Sequence, residues 1–204
     1  MENEGFTALL RERERAADAQ ARAEVDAKIR ARYERDAAVL ILDMSGFSRI
    51  TQAEGIIHFL GLIHRMHALV LPIIDAAPGG QLVKTEADNV YAMFETTQAA
   101  LDAAIEIQET CQRSFADAPR NDSVAVSIGI AWGRLLDLDG EEFYGDPVNL
   151  ASKLGEDLAD AGEVFVTQEA ASGVVLPAGW TATQRSAQIS GVDIAFVSVQ
   201  RDPS

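Results

Sequence analysis

The run Ala38-Val39-Leu40-Ile41-Leu42-Asp43-Met44 stays apolar until its penultimate residue. A segment with no polar alternation reads as a strand buried in the centre of a sheet, covered on both faces. It leads into Ser45-Gly46-Phe47-Ser48, a small-residue turn whose hydroxyls could cap a following helix. A helix is predicted over residues 55–76 and stopped by Pro78-Gly79-Gly80. Residues 81–85 and 89–94 read as a hairpin around Glu86-Ala87-Asp88. Further along, 96–115 reads as a helix, 123–132 with 134–138 as a second hairpin, and 146–158 as another helix. A strand at 163–167 and two late strands, near Trp180 and at 194–199, complete the series. This order predicts an α+β domain: a ferredoxin-like antiparallel sheet with helices packed on one face.

Residues 6–35 contain neither proline nor glycine and are rich in Ala, Glu, Arg and Asp, which predicts one N-terminal helix. Its narrow apolar seam, including Leu9, Ala21, Val25 and Ile29, suits either a dimerising or signal-transmitting helix or a solvated helix lying on its own domain. The expected division is therefore 1–36 as an extension, a possible docking point for an upstream regulatory partner, and 37–204 as the globular domain. The 204 residues, 48% hydrophobic, suffice for one such core.

The formal net charge is −15. Residues 1–36 hold 8 basic and 9 acidic side chains, leaving 9 basic and 23 acidic for the rest, so the excess belongs to the globular part. That balance argues against a nucleic-acid partner. A polyanionic ligand could bind only where metal ions, backbone N–H groups or a local basic cluster reverse the field. A single cysteine, Cys111, and an acidic start without a signal-like basic region fit a reducing cytoplasm. The apolar stretch 56–74 is interrupted by His58, His64, Arg65 and His67, and reads as a core helix without membrane insertion.

Three segments carry candidate chemistry. Asp43 at the end of a buried strand, followed by the turn Ser45 to Ser48, sets a carboxylate beside free backbone N–H groups, although an Asp at a strand end also serves as a plain turn residue. Asp88, in Lys84-Thr85-Glu86-Ala87-Asp88-Asn89, would come near Asp43 if the hairpin lies beside the first strand, and adjacent carboxylates invite divalent cations. In Val148-Asn149-Leu150-Ala151-Ser152-Lys153-Leu154, Asn149 and Lys153 share a helix face one turn apart and could meet a single ligand.

The order and spacing of these segments across residues 37–200 resemble the class III adenylate and guanylate cyclases. In that family the strand and turn D-[IM]-x-G-F-[ST] looks like residues 43–48, the hairpin K-x-x-G-D like 84–88, and the helix V-N-x-A-[SA]-R-[LM] like 148–154. The resemblance implies a homodimer that converts a nucleoside triphosphate, here ATP, into its 3′,5′-cyclic monophosphate with two divalent cations, Mg²⁺ or Mn²⁺. Asp43, the Met44 position and Asp88 would hold the metals, and the turn Ser45, Gly46, Phe47 and Ser48 the phosphates. Lys84 would read the base, Asn149 orient the nucleotide, and Lys153 stand in for the transition-state arginine. The partner subunit would supply Lys84, Asn149 and Lys153 to the metal-binding half.

A lysine paired with a carboxylate complements adenine, an acceptor at N1 beside a donor amino group, whereas guanine presents the reverse. The position the family pairs with the lysine is Glu142. Two departures stand out: Lys153 lacks the planar fork of arginine, which predicts low activity, and Ala87 replaces a glycine, an awkward change if the position needs positive φ. Both also fit a degenerate module that binds nucleotide or a partner without turnover. Gly140-Glu141-Glu142-Phe143 is similar to the G-G-[DE]-E-F signature of diguanylate cyclases, but Asp139 stands at its first glycine and the Asn149 helix has no counterpart there.

Overall fold

The computed structural model describes residues 3–119, 121–189 and 191–202. Where the composition predicts one N-terminal helix there are two, α1 (Glu4–Arg15) and α2 (Ala19–Tyr33). Asp18 makes the break, because its carboxylate accepts from the Ala21 N–H and starts a new helix. Within the chain α2 packs on the globular domain: Val25, Ile29 and Tyr33 are buried with Leu138, against Phe6, Leu9 and Leu136.

The central strand is β1 (Glu34–Met44). Next come α3 (Phe47–Glu54), α4 (Ile56–Ala76), the hairpin β2 (Gln81–Glu86) and β3 (Asn89–Phe94), and α5 (Thr97–Phe115). The remaining elements are β4 (Val126–Asp137), β5 (Phe143–Tyr144), α6 (Asp146–Ser152) with a π-helical continuation Lys153–Leu158, β6 (Val164–Thr167), β7 (Trp180–Ile189) and β8 (Val192–Arg201). The sheet runs β2-β3-β1-β4-β6-β8-β7, with β5 added to the end of β4; β4 and β6 pair parallel, the others antiparallel.

Both faces of β1 are covered, which explains its missing alternation. Ala38, Leu40, Leu42 and Met44 enter the main core with α4 and α5, whereas Ala37, Val39 and Ile41 face the smaller core that contains Ala151 of α6. Helices therefore lie on both faces, not on one as expected. The predicted second hairpin is also a single strand. Gly133 stays paired with Ala37 and Arg134 with Asp36, and β4 turns back only later, placing Leu136 opposite Tyr144. Helix α4 is long and apolar enough to cross a membrane by length and composition. It lies along the sheet and buries Phe59, Leu62, Ile63, Met66, Val70 and Ile74.

Candidate active site

Asp43 is the last residue but one of β1, and the register that sets Leu42 opposite Val90 carries it to the β2–β3 turn. Burial pushes its carboxyl up to about 6, helped by the negative charges of Asp88 and Glu156. The hairpin thus brings Asp88 to Asp43 across the sheet. The Met44 side chain is buried in the core, so only its main-chain carbonyl could serve a cation. Among the described residues, no group of three or more His, Cys, Asp and Glu side chains could hold a metal ion. Two carboxylates with open positions suit hard cations that take their remaining ligands from phosphate and water.

The turn after β1 departs from expectation. No serine caps α3: its N-cap is Gly46, at φ 106°, with no side-chain hydrogen bond. The Ser45 N–H is already used, donating to the Ala125 carbonyl at 2.9 Å. What the turn can offer an anion is the uncapped first turn at Phe47 and Ser48. Phe47 is half exposed and meets Phe59 edge-on at 5.0 Å.

Lys84 and Glu142, distant in sequence, form a direct pair. The Lys84 Nζ donates to Glu142 Oε2 at 2.8 Å, and Glu142 Oε1 accepts from the Phe143 N–H at 3.0 Å. Glu86 lies at 3.7 Å from the same ammonium, which sits 5.0 Å over the Tyr91 ring. Burial acts to lower the Lys84 pKa, but the hydrogen bond and charge of Glu142 outweigh it and the pKa rises. Ala87, at the hairpin tip, takes φ 53°, the left-handed conformation that the missing glycine would adopt freely.

Asn149 and Lys153 share α6 and its continuation, the Lys153 N–H donating to the Asn149 carbonyl. Two glycines bring this segment to backbone contact with the sheet: a Cβ on Gly129 would stand 2.0 Å from the Ala151 carbonyl oxygen, and one on Gly155 2.8 Å from that of Ile41. Asn149 is exposed, and Lys153 forms no ion pair among the described residues. Sequence reasoning missed Glu156, which accepts from Asn89 Nδ2 and the Tyr91 hydroxyl, both at 3.3 Å. Its only signal was lying three residues past Lys153 on the same helical segment. Of the α4 histidines, His58 pairs with Asp122 at 2.9 Å, and His67 Nε2, within reach of the Asp88 charge, is buried without a hydrogen-bond partner.

The α+β sheet that carries these residues matches solved nucleotidyl cyclase domains. The crystal structure of an adenylate/guanylate cyclase/hydrolase from Silicibacter pomeroyi is 32% identical, superposes with a TM-score of 0.66, and matches over 83% of this chain and 99% of that one. A bacterial light-regulated adenylyl cyclase shares the fold at 20% identity and a TM-score of 0.67, over 81% of this chain and 90% of its own. The adenylate cyclase of Glutamicibacter nicotianae is 31% identical over 129 residues; these are 63% of this chain and 30% of that protein's length. No family model matches the sequence. The chain belongs to the class III adenylate/guanylate cyclase family.

Proposed function

We propose that the protein is a homodimeric adenylate cyclase, converting ATP to 3′,5′-cyclic AMP and pyrophosphate. The approach of Asp88 to Asp43 at the strand ends carries this reading, since it crowds carboxylates where a cation would relieve them. Asp43, the Met44 carbonyl and Asp88 would hold two divalent cations, Mg²⁺ or Mn²⁺. Bound there, the cations would acidify the ribose 3′-hydroxyl and neutralise charge on the α-phosphate and the departing pyrophosphate.

The chain's own groups do the positioning. Lys84 donates to adenine N1 while Glu142 accepts from the amino group, a pairing that guanine does not complement. Asn149 orients the ribose, and Lys153 sets a positive charge against the α-phosphate. The uncapped turn at Gly46, Phe47 and Ser48 receives phosphate oxygens. Lys84, Asn149 and Lys153 of one subunit serve the carboxylates of the other. The exposed apolar side chains Phe47, Ile56, Ile57 and Leu60 at the start of α3 and α4 support association with a second copy. The reading places the protein in the cytoplasm, with 1–36 as the signal-receiving extension of the 37–204 catalytic domain.

A second reading, a nucleotide- or partner-binding module without turnover, draws on Lys153 in place of arginine and on the strained Ala87. Incubation of the purified chain with ATP or GTP and Mn²⁺, followed by product identification, decides between them. Cyclic AMP is the expected product. Retained nucleotide binding with no cyclic product from either triphosphate would establish the second reading.

A further inference from the structure

Helix α1 reaches the residues assigned to base recognition. A cavity of about 590 Å³ lies between Phe6, Thr7 and Leu10 of α1 on one side and Lys84, Glu142 and Tyr144 on the other. That is ample for a purine ring. Phe6 stacks on Tyr144 at 6.4 Å with 14° between the rings, and meets Tyr33 edge-on at 5.5 Å. Asn3, which caps α1, donates to Asp139 at 2.7 Å, tying the helix start to the turn that carries Glu142.

With α1 docked, the space before Lys84 and Glu142 stays open, and both side chains keep about 30% exposure. The helix therefore lines the cavity and does not plug it. Apolar flanks beside one cationic donor and one carboxylate acceptor suit a planar heteroaromatic ring that carries both an acceptor and a donor on its edge.

We propose that α1 is the outer wall of the base site, and that Phe6, Thr7 and Leu10 lie against the purine and help to select it. The inference rests on Lys84 and Glu142 being the base readers. The wall is detachable. No residue of α1 is fully buried; it meets α2 through the partly buried Phe6 and Leu9 and through exposed ion pairs, Arg13 to Asp26 at 2.6 Å and Lys28 to Glu12 at 2.7 Å. Such pairs hold weakly in water.

The test uses the full chain and two readouts. One is equilibrium binding of adenosine and guanosine without metal, with amide exchange followed over residues 4–15. The other is KM and kcat for ATP and GTP with Mn²⁺. Adenosine should slow exchange in α1. Phe6→Ala should weaken adenosine binding and raise the KM for ATP roughly tenfold, with kcat within about twofold. Arg13→Ala, remote from the cavity, should move KM the same way by about threefold. Thr7→Val, which spares the aromatic contacts, should alter the ATP to GTP preference and serves if Phe6→Ala does not fold.

A wild type that cyclises ATP, with unchanged adenosine binding and KM in these variants, would overturn the wall and leave the base readers standing. A lower KM in Phe6→Ala would make α1 a plug and overturn it too. A wild type that neither binds adenosine nor turns over ATP would remove the base readers, and this inference with them.

Discussion

Asp43 shows what a site costs the fold. Its carboxyl, raised to about 6 from an ordinary 3.8, is easier to protonate in the folded chain than in the unfolded one. The folded state therefore binds more protons between those values, and its stability falls as pH rises from about 4 through about 6. Asp43→Asn should abolish turnover, yet in metal-free buffer it should raise Tm at pH 8, the gain disappearing towards pH 4. A variant less stable than wild type at pH 8 would show that the ionised carboxylate is not a burden. Ala87, at φ 53°, stores strain of a different kind. Ala87→Gly should relieve about 1 kcal/mol and raise Tm by a few degrees, measured by thermal denaturation with and without Mn²⁺. At this scale the family resemblance named Lys84 and Glu142 together, and the structure pairs them at 2.8 Å. Sequence reasoning could not reach Glu156, whose closeness to Asp43 depends on how the π-helical segment meets the sheet.

Among elements, the seam between α6 with its continuation and the sheet is the least forgiving. Gly129→Ala would drive a methyl group against the Ala151 carbonyl oxygen and the Gly155 nitrogen, 2.0 Å and 2.5 Å from an ideal Cβ. Backbone cannot yield as a flexible side chain does. The variant should lose several kcal/mol of stability, and any folded fraction should cyclise ATP poorly because Asn149 and Lys153 move together. Chemical denaturation beside activity checks both parts. The elements were legible where one rule dominated, as in the apolar run of β1 or the alanine-rich sequence of α5. They were misread where local composition was silent. The alanine-rich 6–35 run hid the Asp18 cap, and Gly133 suggested a turn that pairing to β1 overrides.

For the whole molecule, the carboxylate pair and the lysine–glutamate pair are each complete within one chain. If subunits exchange these halves, neither chain alone holds a full site. Specific activity should then rise with protein concentration until dimerisation saturates, as read from initial rates over a dilution series with light scattering. Activity independent of dilution in a monomeric sample would contradict the shared site. Much of the sheet order was beyond sequence reasoning, since the parallel pairing of β4 with β6 joins distant segments that bear no mark of each other.

Helix α2 ends at Tyr33 and β1 begins at Glu34, with no loop between them. Eleven residues later, about 35 Å along an extended strand, the same element ends beside Asp43. A torque applied to the N-terminal hairpin is thus delivered through a stiff rod, paired to β4 along its length and to β3 over residues 38–42, to the far end of the sheet. No slack segment lies on that path to absorb it.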